Sequence, residues 1–175
     1  CFLNCLNGIS QLPRSGGQYP FVHYTPREGL VNNRARLLFQ DSKGKLYIST
    51  YDGISIYDGT RFTNYNKKNG LASYMVNDFA EMGDDSIWIL PNANKIQCLV
   101  KGRLRDFIPA DKFSPLVNQF IKCSDGFYYA LADEGLFRLE DNRFVKIPIN
   151  GLPQGVVPKT FLTGVEVEKK LFLLF

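Results

Sequence analysis

Three observations predict an all-β chain forming a partial β-propeller of four-stranded antiparallel blades: an aromatic-rich composition, frequent Gly and Pro, and a unit that returns at a constant spacing. The 175 residues include 14 Phe, 9 Tyr and 1 Trp, side chains that suit half-buried pleated surfaces. The 15 Gly and 9 Pro break the chain into many short elements. With 45% hydrophobic and 22% charged residues the composition is that of a globular protein, which excludes disorder and collagen-like structure. The 21 basic and 17 acidic side chains are spread along the chain without a basic block, so no nucleic-acid partner is expected.

The repeat carries most of the prediction. Gly29-Leu30 returns one unit later as Gly70-Leu71 and again as Gly151-Leu152. Leu46-Tyr47-Ile48 returns at the same spacing as Ile87-Trp88-Ile89, and at twice that spacing as Tyr128-Tyr129-Ala130. Gly44, Gly53, Arg61 and Phe62 recur as Gly126, Gly135, Arg143 and Phe144, each two units further along. So many matches in one register define a repeating unit.

Within the first unit the elements follow in order. Residues 34–40 form a first strand that ends in the turn Asp41-Ser42-Lys43-Gly44, and residues 45–50 form a second that ends in Tyr51-Asp52-Gly53. Ile54-Ser55-Ile56-Tyr57 is the third, and Asp58-Gly59-Thr60 leads into the fourth, Arg61 to Tyr65. Leu46 and Ile48 alternate with Tyr47 and Ser49, and Ile54 and Ile56 with Ser55 and Tyr57, the period-2 pattern of strands. Asp and Gly in each turn supply the side-chain hydrogen bonds and the positive φ that tight hairpins need. One such meander cannot bury both faces alone, so copies must stack face to face, either linearly or around an axis. A period of roughly 40 residues with four strands per unit matches propeller blades.

Blades are expected at about 30–65, 71–107 and 116–147, with a truncated blade at 153–175. Phe21, His23 and Tyr24 lie one unit before Phe62, Asn64 and Tyr65, which predicts an opening outer strand over 19–25, the kind that closes a ring by completing its last blade. Residues 1–18, with the apolar start Cys1-Phe2-Leu3, are expected to be the remnant of a secretory signal and a linker. The chain is thus expected to be a piece of a longer one. No apolar run approaches the roughly 20 residues that span a bilayer, so any membrane anchor is expected outside this piece.

Catalytic and metal chemistry find little support. His23 is the sole histidine and falls in the expected opening strand, where a structural role is expected. No Gly-x-Ser-x-Gly turn accompanies it, and Asp84-Asp85 occupy a first turn, where Asp is expected for conformational reasons. The turn Asp41-Ser42-Lys43-Gly44 places Lys where a calcium ligand belongs, and no metal or cofactor is expected. Cys98 and Cys123 lie in separate strands and read as buried small hydrophobes; whether they pair is open at this level.

Binding chemistry remains. In a propeller the turns between second and third strands share one rim with the inter-blade connections and converge toward the axis. Those turns hold Tyr51, Asp52, Asn92, Asn94, Asp133 and Glu134, with Arg27 on a connection. Aromatic faces bordered by Asp, Asn and Arg suit a sugar, so an oligosaccharide or another small ligand is the expected partner.

The segment Phe21-Val22-His23-Tyr24-Thr25-Pro26-Arg27-Glu28-Gly29-Leu30, followed by Asp41 through Ile54, resembles the two-component regulator propeller repeat. Members typically read as a Gly-Leu loop, an apolar strand, an Asp-x-x-Gly turn, a Trp-Ile-Gly-Thr-like strand and an Asp-Gly-Leu turn. Tyr47 and Ser49 replace the usual Trp and Gly in the first unit, and Trp88 is followed by Leu90-Pro91 in the second. The third keeps Ser124-Asp125-Gly126 and Glu134-Gly135-Leu136. The resemblance implies a periplasmic, membrane-anchored sensor region of a Bacteroidetes-type hybrid two-component system, without catalysis of its own. It also implies a kinase outside this piece and homodimerisation through the full-length protein. The alternatives are a propeller enzyme acting on polysaccharide and a structural protein-interaction propeller.

Overall fold

The computed structural model describes residues 22–83, 86–152, 154 and 158–175. The expected signal remnant and the Asp84-Asp85 pair lie outside the described residues. Blade 1 consists of β1 (Ala35–Gln40), β2 (Leu46–Thr50), β3 (Gly53–Tyr57) and β4 (Phe62–Tyr65). Blade 2 consists of β5 (Val76–Glu81), β6 (Ser86–Pro91), β7 (Ile96–Val100) and β8 (Arg103–Phe107). Blade 3 follows with β9 (Val117–Lys122), β10 (Tyr128–Ala132), β11 (Gly135–Glu140) and β12 (Arg143–Lys146). A two-stranded sheet of β13 (Thr163–Val167) and β14 (Lys170–Leu174) begins a fourth. Each complete blade is an antiparallel meander with its strands in chain order. The fold is the predicted partial propeller.

Register decides which face of each blade is buried. Tyr47 pairs with Ile56 and Ser49 with Ile54, so these residues share the face turned toward blade 2. There Tyr47, Ile54 and Ile56 join Val76, Phe79, Ile87, Ile89 and Leu99 in one apolar cluster. Blades 2 and 3 enclose a second cluster built on Trp88, Leu90, Ile96, Phe120, Phe137 and Phe144. Ile121, Leu131, Leu136 and Phe161 begin a third under the two-stranded sheet. Every core thus lies between sheets, because each sheet can cover only its neighbour's apolar side.

Polar clasps repeat with the blades. The Ser42 N–H and hydroxyl of the first turn donate to the Glu81 carboxylate of the next blade (2.9 and 2.6 Å). Ser124 repeats this with Glu166 at 2.7 and 2.8 Å. On the other rim, the connections leading into blades 1 and 2 dock on the third strand of the blade they enter. The Val31 N–H donates to Ser55 Oγ (2.9 Å) and the Ala72 N–H to Gln97 Oε1 (2.8 Å).

Of the opening strand expected over 19–25, residues 19–21 lie outside the described residues and 22–25 pair with no sheet among them. Tyr24 instead packs on the third and fourth strands of blade 1. Its hydroxyl lies 3.0 Å from that of Tyr57 and its ring 5.4 Å from Phe62. Tyr65 relates to blade 2 in the same way, donating to Gly102 O between β7 and β8 (2.9 Å). Tyr24 therefore occupies an outer-strand position against the next blade, although a sheet for it to join is not among the described residues. His23 is exposed and lies outside any strand.

Cys98 and Cys123 are free thiols in different clusters. Burial raises both pKa values, that of Cys123 to about 11, so neither is a ready thiolate.

Candidate functional site

The rim carrying the turns between second and third strands is built blade by blade. In blade 2 the Asn92 N–H donates to Met75 O (2.9 Å), and in blade 3 the Asp133 N–H donates to Leu116 O (3.0 Å), tying each turn to the connection that enters its own blade. Blade 1 makes the tie with side chains, Asn32 Nδ2 donating to Asp52 Oδ2 (2.5 Å). The Thr50 hydroxyl braces the same turn, donating to Gly53 O (2.9 Å) and accepting from the Asp52 N–H (3.1 Å). Tyr51 is left standing outward at the tip, 46% exposed.

Tyr51, Asp52, Asn92, Asn94 and Glu134 are all exposed on this rim, while Asp133 is half-buried. Among the described residues, no hydrogen bond, ion pair or ring contact joins the turn of one blade to that of another. The blade 2 turn is longer than that of blade 1 by a single position, since Ile89 pairs with Gln97 where the spacing from Ile48–Ser55 calls for Ile96. Asn94 consequently sits in a wider turn than its counterpart Gly53. The backbone of Arg27 donates to Thr25 Oγ1 within its own turn (3.1 Å), and no contact brings its side chain to Tyr51. The basic groups at Tyr51 are Arg34 and Arg36, with guanidinium carbons 5.3 and 5.4 Å from the ring centre. Sequence reading missed both because they belong to the start of a strand rather than to a turn.

The inner strands explain their position. Each first strand carries a bulge near its start, at Arg36 in β1, Asn77 in β5 and Asn118 in β9, the same position of successive units. A bulge re-aims one side chain out of the ladder. Asn77 Nδ2 donates to Val117 O (3.2 Å) and Asn118 Nδ2 to Phe161 O (2.9 Å), each stitching its blade to the next. In blade 1 the corresponding carbonyl, Val76 O, accepts from Ser49 Oγ instead (3.1 Å). Arg36 is thereby left out of the stitching and turned to Tyr51.

At the next position along, the side chains of the inner strands make a second line of stitches. Asp78 Oδ2 accepts the Phe120 N–H (3.1 Å), and Gln119 Oε1 accepts the Gly164 N–H (2.8 Å). Burial raises the Asp78 pKa to about 7, against the pull of the Phe120 and Phe79 N–H groups. The native state therefore keeps a proton that the unfolded chain loses near pH 4. Stability contributed by this group is complete below that pH and is lost as pH rises toward 7. Asp78→Asn keeps an acceptor and removes the titration, so it is expected to stabilise the protein by about 1–3 kcal/mol at pH 8 and to change little at pH 4. Urea denaturation at both pH values checks this; equal effects at the two would show that Asp78 does not titrate in the seam.

A cleft of about 260 Å³ lies between blades 1 and 2 at the opposite rim, lined by Asp41, Lys43, Lys45, Tyr65, Glu81 and Lys101 among others. Sequence reading placed nothing there. Asp41 accepts the Lys43 and Lys45 N–H groups and the Tyr47 hydroxyl, and Glu81 is held by Ser42, so both carboxylates are engaged in the fold.

The arrangement of blades is shared with solved structures. One is the extracellular domain of the putative hybrid two-component system BT3049 of B. thetaiotaomicron, with a TM-score of 0.68 and 19% identity over 87% of this chain and 23% of that one. The chain has the blade fold of part of this extracellular domain. The extracellular domain of BT4673 from the same organism matches with a TM-score of 0.64 and 19% identity over 81% of this chain and 20% of that one. A streptogramin B lyase matches with a TM-score of 0.52 and 16% identity, over 70% of this chain and 43% of that one. The chain therefore spans about a fifth of the two extracellular domains. No family model and no curated protein matches the chain by sequence.

Proposed function

We propose that the chain is part of the extracytoplasmic sensor region of a two-component signalling protein, and that its rim binds an oligosaccharide. Binding would bias the geometry or dimerisation of the whole extracellular region and so control a kinase elsewhere in the polypeptide. The likeness of the blades to extracellular domains of such systems supports the sensor role. The observation that carries the binding role is the exposed Tyr51 ring, held in a braced turn between Asp52 and Arg34. An aromatic face of this kind stacks on a sugar ring, and neighbouring amide and carboxylate groups take its hydroxyls. Calorimetric titration of the complete polypeptide with a panel of neutral and acidic oligosaccharides tests it. A saturable heat with at least one sugar is expected, and Tyr51→Ala is expected to weaken it about tenfold, the equivalent of losing roughly 1.4 kcal/mol of stacking. Absence of saturable binding across the panel overturns the binding role.

The likeness to a streptogramin B lyase favours one second reading, catalysis on the same rim. It predicts product formation when the complete polypeptide is incubated with the sugar it binds. Recovery of the intact sugar discards it.

A further inference from the structure

We infer that the Tyr51 site is selective for an anionic sugar, whose ring lies on Tyr51 and whose carboxylate or sulfate is held by Arg34 and Arg36; this rests on the rim being a saccharide site. Blade 1 departs here from its sister blades. Their bulge residues, Asn77 and Asn118, are half-buried and spent on inter-blade carbonyls, whereas Arg36 is exposed and its structural duty is taken by Ser49. Arg in place of Asn at this bulge therefore contributes nothing to the stitching between blades. Arg34, two positions earlier, converges on the same ring.

Two guanidinium groups near one ring repel each other unless an anion lies between them or close by. The acidic side chain nearest in the turn, Asp52, accepts from Asn32, and among the described residues no ion pair involves Arg34 or Arg36. Both guanidinium carbons lie 5.3 and 5.4 Å from the ring centre, near enough for cation–π attraction, which does not neutralise them. Each guanidinium keeps its N–H donors for an external oxyanion, in the fork geometry that suits a carboxylate or a sulfate ester. An exposed aromatic face next to two un-neutralised forks matches a pyranose bearing one such group. A neutral sugar would use the ring and leave the forks unanswered.

The test is calorimetric titration of the complete polypeptide with three probes: an oligogalacturonide, a sulfated disaccharide and a neutral oligosaccharide of similar length. The expected result is that one acidic probe binds at least tenfold tighter than the neutral one and loses affinity as salt is raised. The double substitution R34Q/R36Q is expected to abolish that preference, so that the acidic probe binds no tighter than the neutral one. Arg36→Asn, which restores the residue of the sister blades, provides a second variant that retains the bulge, and it is expected to lose part of the preference with an unchanged melting temperature. Whichever acidic probe binds identifies the oxyanion as carboxylate or sulfate. Equal binding of neutral and acidic sugars, or a preference that survives R34Q/R36Q, overturns the anion selectivity and leaves the saccharide rim standing. Failure of all three probes removes both.

Discussion

Trp88→Ala is expected to destabilise the protein by about 3–5 kcal/mol, the largest effect expected of any side-chain truncation in these blades. Trp88 lies 7% exposed in the seam between blades 2 and 3, with its ring 4.2 Å from Phe107 and 5.3 Å from Phe120. Phe120 and Phe107 in turn contact Phe144, so truncation opens a void at the centre of a ring cluster that spans two blades. Rigid sheets on both sides limit how far that void can collapse. Trp88→Tyr is a milder change but not a neutral one. In blade 1 the equivalent Tyr47 donates its hydroxyl to Asp41 (3.1 Å), and the residue corresponding to Asp41 in blade 2 is Met82, which packs against the apolar cluster. A tyrosine hydroxyl at 88 would find no carboxylate there. Denaturant unfolding followed by far-UV circular dichroism checks both, since Trp88 is itself the only tryptophan and its fluorescence goes with it. A loss under about 1 kcal/mol for Trp88→Ala would mean that the blade seam repacks freely.

Gly53→Ala is expected to cost about 3 kcal/mol or more, through backbone rather than packing. Gly53 has φ +128°, and a Cβ there would lie 2.2 Å from Tyr65 O and 3.0 Å from Asn66 Cβ. The carbonyl belongs to a paired strand and cannot retreat without opening the ladder. Gly135, its counterpart in blade 3, has φ +140°, but its Cβ would meet the end of the Lys146 side chain at 2.8 Å. That chain can swing away, so Gly135→Ala is expected to cost about 1–2 kcal/mol, mainly from the positive φ. Comparing the two variants by calorimetry separates the clash from the conformational strain. Equal losses would show that the Tyr65 carbonyl yields. A Gly53→Ala protein that folds poorly is also expected to lose order at Tyr51, because the same turn holds both residues.

The sequence alone carries both expectations part of the way. The repeat already places Tyr47 and Trp88 at one strand position in successive blades, and Gly53 and Gly135 mark turns by the same logic. The alternation around Leu46 and Ile54 separates two faces within each strand. It does not say which faces coincide, because that depends on register: the pairing of Tyr47 with Ile56 makes the Tyr47 side the buried one. Tyr51 and Asp52 were legible as rim residues because a tight turn leaves few places for them to go. Arg27 was a plausible neighbour by position in a connection, yet its turn folds on itself, and Arg34 and Arg36 reach the ring from the bulged start of β1. A bulge needs two residues opposite one on a partner strand, so nothing in a single strand announces it.

The sequence by itself determined the period, the strand order and the turns, since these follow from local alternation, from Asp and Gly chemistry and from the recurrence of one unit. Tertiary structure alone decided which polar groups serve the fold and which stay out of its stitching. Asn77 and Asn118 are consumed by carbonyls of the next blade, and Arg36 is released because Ser49 reaches Val76 first. Distances between blades set that division, and they depend on groups far apart in the chain meeting across a seam.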